Sequence, residues 1–256
     1  MGTILEVNKV SKYFGGLAAV DAVDIAVVEG EILGLIGPNG AGKTTLFNVI
    51  SGFFPLSAGT ILFQGQDVTG MRCHEIVRLG ISRTFQASTL FMKSTVLENV
   101  FTSFHLSYAT PRWKRLLRSP SARSEEARLE HEALDILELM GLAPLSGEVA
   151  ANLPHGHQRI LGVSMALATH PKLLLLDEPM TGMNPVETEN MIALVRQTRD
   201  RGITIVLVEH DMKAVMNLCD RIVVLNYGQK IAEGLPREIR ENPEVVEAYL
   251  GKRGTK

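Results

Sequence analysis

The chain has 256 residues, 45% hydrophobic and 21% charged, with a formal net charge of −2 at pH 7. That is enough for one large packed domain, and so balanced a charge provides no global basic field for nucleic acid. Cys73 and Cys219 are too few for a disulfide framework or a cysteine metal cluster; the N-terminus lacks a secretory pattern, and no run of about eighteen apolar residues exists to span a membrane.

In chain order, residues 4–36 read as strands. Val23, Ile25 and Val27 alternate with Asp24, Ala26 and Val28, the period of a sheet with one buried face, and Gly15-Gly16 supplies a turn. An antiparallel β portion is therefore expected at the front. Tyr13 and Phe14 end its first strand, where a ring either packs against the protein or lies on a purine base. A short apolar strand at 31–36 then leads into Gly37, Pro38, Asn39, Gly40, Ala41, Gly42, Lys43, Thr44 and Thr45. These read G-x-x-x-x-G-K-T, a phosphate-binding loop, and an apolar helix follows. Glycines let the backbone wrap phosphate oxygens, and the helix start adds its positive end. Lys43 is expected to reach the β- and γ-phosphates and Thr44 to hold Mg²⁺.

Residues 59–65 read as a strand and turn, and 72–79 as a short helix with His74 on the surface. The stretch 80–86 is a strand ending in Gln86, whose amide either approaches a metal-bound water or belongs to an ordinary loop. From Leu90 to Met140 helical signals replace strand signals. Ala133, Leu134, Ile136, Leu137 and Met140 form one stripe; Glu125, Glu126, Arg128, Glu130 and Glu132 mark the wet face. Within this excursion residues 112–118 are basic, and 119–123 read as a loop. Leu153-Pro-His-Gly-His-Gln-Arg159 opens a helix, with Asn152 as the expected N-cap and Pro154 in the first turn.

Lys172 precedes four leucines and then Asp177, Glu178 and Pro179. A continuous apolar run suits a strand buried on both faces of a parallel sheet, and ligands bind at the carboxyl ends of such strands. Asp177 is expected to hold Mg²⁺ through its water shell and Glu178 to orient or deprotonate the attacking water. A helix over 186–200 buries Met191, Leu194 and Val195. A second buried strand, 203–208, ends at Glu209-His-Asp211, so His210 is placed to donate to a γ-phosphate oxygen or serves structure alone. Two strands near 221–225 and 230–232 close the sheet, and Pro236 and Pro243 start two terminal helices.

Taken in order, these pieces resemble the ATP-binding subunit of an ABC transporter over nearly the whole chain. The phosphate loop, Gln86, the signature stretch 153–159, Asp177-Glu178, the loop 180–184 and His210 follow that family's order. The resemblance implies an α/β fold: a P-loop NTPase core with a parallel sheet, an antiparallel β subdomain and a helical subdomain inserted at about 87–165, all within one ATPase domain spanning 1–256. It implies ATP and Mg²⁺ as ligands, Lys43, Gln86, Glu178 and His210 as catalytic residues, and Thr44, Gln86 and Asp177 at the metal. Phe14 matches the family's base-stacking aromatic, with Tyr13 the second choice, and Gly156 of the signature is implied in nucleotide binding. Two cassettes sandwich two ATP molecules in that family, so the implied partners are a second ATP-binding subunit, transmembrane permease subunits and an external substrate-binding protein. The implied location is the cytoplasmic face of the plasma (inner) membrane. The excursion near 112–123 and the ending 234–251 look like the branched-chain amino-acid uptake group; urea and amide importers share those features. A soluble, non-transport ATPase of the same family is the other reading. The signature departs from the usual Leu-Ser-Gly-Gly-Gln: Pro154 stands at the serine, His155 at the first glycine and His157 at the glutamine. Asn184 stands where many relatives carry aspartate.

Overall fold

The computed structural model describes residues 2–84, 90–106 and 119–250. Its strands form two sheets. The first is antiparallel, ordered β2-β1-β4-β5, from β1 (Thr3–Phe14), β2 (Leu17–Val28), β4 (Ala58–Phe63) and β5 (Gln66–Asp67). The period-two reading of β2 holds: Val23, Ile25 and Val27 are buried while Asp24 and Ala26 face solvent.

The second sheet is ordered β10-β9-β3-β8-β7-β6. It comprises β3 (Ile32–Ile36), β6 (Ile81–Arg83), β7 (Leu173–Asp177), β8 (Thr204–Val208), β9 (Arg221–Asn226) and β10 (Gln229–Gly234). All its pairings are parallel except β9 with β10. Every residue of β3, β7 and β8 is buried. In β7, Leu174 and Leu176 enter one apolar core while Leu173 and Leu175 enter the other. Alternate side chains of one strand thus serve opposite faces, which is why the sequence shows an unbroken leucine run.

Beneath one face lies α1 (Lys43–Ile50), sandwiched with the antiparallel sheet. α2 (Cys73–Leu79) precedes β6. On the other face sit α3 (Val96–Ser103), α4 (Pro120–Leu139) and α5 (His155–Leu167), with α6 (Pro185–Asp200), α7 (Met212–Leu218), α8 (Pro236–Glu241) and α9 (Pro243–Leu250).

Three local expectations are corrected. Residues 120–123 are helical: Ser119 caps α4 by accepting from the Ala122 N–H, and Pro120 takes the first turn, where its missing N–H costs nothing. On α4 and its C-cap the expected stripe holds at Ala133, Ile136, Leu137 and Met140, and the same face continues back through Leu129 and Ala122; Leu134 departs from it and is exposed. The N-cap of α5 is Pro154, with no side-chain bond, because Asn152 is held in a short 3₁₀ turn, Ala150–Asn152. The basic stretch 112–118 lies outside the described residues.

Candidate active site

Three neighbouring strands deliver the predicted residues to one edge. β3, β8 and β7 run parallel and adjacent, with Leu35 opposite Val208 and Val208 opposite Asp177. The segments that leave these strands carry Gly37, His210 and Glu178, so register alone makes them neighbours. They open onto a cavity of about 490 Å³ lined by Phe14, Asn39, Lys43, Thr44, Glu178 and His210, among others.

The loop that enters this cavity needs glycine at two places. Gly37 has φ +152°, and a Cβ there would overlap the Leu225 carbonyl oxygen. Gly42 has φ +100°, and its Cβ would overlap the Ala19 carbonyl oxygen. The loop is therefore clamped between the β9 end and the start of β2. Gly42 is also the N-cap of α1 and makes no side-chain cap bond, which leaves the first amides of the helix for an anion. The buried Lys43 ammonium donates to the carbonyls of Gly37 at 2.7 Å and Pro38 at 3.0 Å. Burial lowers its pKa, opposed by the nearby carboxylates of Glu178 and Asp177. Both acids therefore act electrostatically on the lysine.

Asp177, at the end of β7, is buried and paired with Arg83 on β6 at 2.7 Å. Arg83 also donates to Asn48 Oδ1 at 2.6 Å and Ser51 Oγ at 3.3 Å, which ties the carboxylate to α1 and its C-cap. The Thr44 hydroxyl and the Asp177 carboxylate are hard oxygen donors from two segments. Magnesium takes such a small protein set when waters and phosphate oxygens complete its shell.

Glu178 follows in a left-handed conformation, φ 51°, a costly region for a residue with a Cβ. Its N–H donates to the Val208 carbonyl at 2.9 Å. Its Oε1 lies 2.5 Å from His210 Nε2. An ionised carboxylate only accepts, so Nε2 carries the hydrogen in that pairing. Glu209 lies beneath them, 2% exposed; it accepts from the Met180 N–H at 2.6 Å and the His210 N–H at 3.1 Å. Burial pushes its pKa up. Arg83 and Glu209 were not singled out from sequence. The available signal was a charge bordering each apolar strand, which also describes many solvated strand ends.

The other predicted residues divide. Phe14 lines the cavity and stands edge-on to Phe54, ring centroids 5.5 Å apart. Tyr13 is absent from the described lining and directs its hydroxyl to Asp21 Oδ1 at 3.3 Å. Asn39, Gly40, Ala41, Gly42, Thr44 and Thr45 line the cavity with Lys43. Gln86 lies outside the described residues. Gly156 is buried against the Glu187 carboxylate, and no residue of 153–159 is among those lining the cavity. The His155 ring rests against Gly182 instead. Asn184 caps α6 through its Oδ1, which accepts from the N–H groups of Val186 and Glu187, both at 3.0 Å.

The ABC transporter family model matches residues 20–181, and a branched-chain amino acid ATP-binding cassette transporter model matches 229–255. The chain is 43% identical over 250 residues to the high-affinity branched-chain amino acid transport ATP-binding protein LivG of Escherichia coli K12, covering 97% of this chain and 98% of that protein. It is 41% identical to the corresponding BraF protein of Pseudomonas aeruginosa at the same coverage. A nucleotide-free ATP-binding cassette from an ABC transporter superposes with a TM-score of 0.86 at 34% identity, covering 98% of this chain and all of the other. The chain belongs to the ABC transporter family, as one of its ATP-hydrolysing ATP-binding subunits.

Proposed function

We propose that this subunit powers uptake of branched-chain amino acids, that its hydrolytic centre is Lys43, Glu178 and His210, and that 1–256 acts as one ATPase domain with a helical subdomain at about 87–165. The observation that carries the chemistry is the single cavity shared by the phosphate loop, Glu178 and His210. The C-terminal family match at 229–255 and the named relatives support the substrate class.

In this reading the triphosphate enters over the first amides of α1, and Lys43 turns from the Gly37 and Pro38 carbonyls to the β- and γ-phosphate oxygens. Phe14 receives the base. Thr44 and Asp177 would hold Mg²⁺, which would supply charge neutralisation on the phosphates. Glu178 orients the attacking water and takes its proton as the bond from the water oxygen to the γ-phosphorus forms and the bond from the γ-phosphorus to the β-phosphate oxygen breaks, so that ADP leaves with that oxygen. His210 gives up its contact with Glu178 and donates to a γ-phosphate oxygen. Gln86 is assigned to the metal-bound water by family resemblance alone.

The signature stretch lines no part of this cavity, which supports its completing the site of a second ATP-binding subunit. Pro154 has no hydroxyl to offer there, so Pro154→Ser should raise turnover in the assembled transporter; an unchanged rate counts against the idea. No described helix is long and apolar enough to cross a membrane. By family resemblance the chain is assigned to the cytoplasmic face of the plasma (inner) membrane, held by permease subunits and fed by an external substrate-binding protein.

Glu178→Gln is the direct test. ATP binding should persist while steady phosphate release falls by roughly 10²-fold or more, the scale of a lost general base. Lys43→Ala should lose nucleotide binding itself. Phosphate release at the parent rate from the Gln variant refutes the role of Glu178.

A further inference from the structure

We infer that Glu209 is a positioning residue for hydrolysis, locking the segment after Glu178 to the strand end that carries His210. The inference rests on the proposed pairing of Glu178 with His210 and goes beyond it by naming what holds the pair in register.

β8 is buried throughout and apolar from Ile205 to Val208, and the next residue is a carboxylate that remains inside. A buried carboxylate is costly unless its oxygens are satisfied. Here each oxygen takes one backbone N–H, and the two come from different segments: Oε1 from Met180, 29 residues away, and Oε2 from His210 next to it. No lysine or arginine pairs with Glu209 among the described residues. Glu178 and His210 are the charges near it at the cavity. A leucine would fill the same volume at lower cost to folding, but it would not connect two loops.

The geometry gives the connection a purpose. Glu178 is in a strained left-handed conformation, and its backbone N–H is already bound to the Val208 carbonyl. Glu209 adds a second tie two residues further along, at Met180. The same carboxylate fixes the backbone of His210, whose ring meets Glu178 at 2.5 Å. Both partners of the pair are thus referenced to one buried side chain. A displacement of about 1 Å between reacting groups can cost on the order of 10²-fold in rate.

The test uses the full-length chain. Glu209→Gln keeps the shape but replaces one acceptor with a donor facing a backbone N–H. We expect kcat for ATP to fall about 10- to 100-fold with KM unchanged within about twofold. Glu209→Asp retains the charge but withdraws it by one methylene, and should lose kcat by a smaller factor. In single-turnover measurements on a His210→Ala background, Glu209→Gln should cost clearly less than in the parent, because one of the two residues it positions is gone and only the Glu178 side remains to be displaced. General structural damage predicts instead equal losses in both backgrounds. Parent kcat in both Glu209 variants, or the same loss with and without His210, overturns the inference. Should Glu178→Gln hydrolyse ATP normally, the reading of the site itself fails. If Glu178→Gln is inactive while Glu209→Gln is parent-like, only the role of Glu209 fails.

Discussion

Arg83→Met isolates the most deeply buried charge pair at the site. The Arg83 and Asp177 side chains are 6% and 4% exposed, and their charges meet at 2.7 Å. Methionine retains much of the arginine stem and its packing near the Phe47 ring, which lies 5.7 Å from the guanidinium. It leaves the Asp177 carboxylate without that counter-charge and removes the donor to Asn48 and Ser51. Removing one partner of a buried pair costs about 3–5 kcal/mol. The low end, ~3 kcal/mol, is the relevant one, because Asn48 and Ser51 are neutral and retain other bonding options. For a chain of this size each kcal/mol moves Tm by roughly 2–4 °C, so the midpoint should drop by roughly 6–12 °C. Scanning calorimetry without nucleotide measures it. Asp177→Asn added to Arg83→Met removes the stranded charge and should regain about 1–2 kcal/mol. A drop below about 2 °C, or strictly additive losses in the double variant, refutes the reasoning.

Two further outcomes follow from side-chain placement. Phe14→Ala should weaken ATP binding by roughly fivefold or more, since stacking of a base on an aromatic ring is worth ~1–3 kcal/mol, while Tyr13→Ala should leave it unchanged. Equal effects in a fluorescent-nucleotide titration would show that the base does not use Phe14. Cys219 is buried against Gly34, and burial pushes its thiol up to about 12 from 9.0, with Asp220 and Glu209 adding to the rise. The unfolded thiol ionises near pH 9 while the native one stays protonated, so stability contributed by this group is intact below that pH and falls as pH rises towards about 12. Urea midpoints should decline more steeply from pH 8 to 10 in the parent than in Cys219→Ala; parallel slopes would contradict it.

Much of the site was readable along the chain, because its main segments are contiguous. Gly37 to Thr45 is a contiguous segment whose residue types carry their own backbone requirement, so its placement at a strand end needed no tertiary knowledge. The leucines of β7 announced a strand covered on both faces, and with it the edge position of Asp177 and Glu178. Where local signals competed, sequence reading erred. Asn152 is a better capping residue than Pro154, yet the turn at Ala150–Asn152 claims it. Leu134 fits the stripe of Ala133, Leu137 and Met140 by spacing, yet it falls beside the face that those residues bury together with Leu129.

By itself the sequence determined what depends on neighbours along the chain: the phosphate loop, the strand that presents the acidic pair, and the helices opened by proline. Only the tertiary structure decided that Arg83 grips Asp177 across 94 residues and that Glu209 ties Met180 to His210. The physical reason is that a buried charge is tolerated only by virtue of its partners. Those partners come from strands that become adjacent in the sheet, and no local pattern of residues records which strands those are.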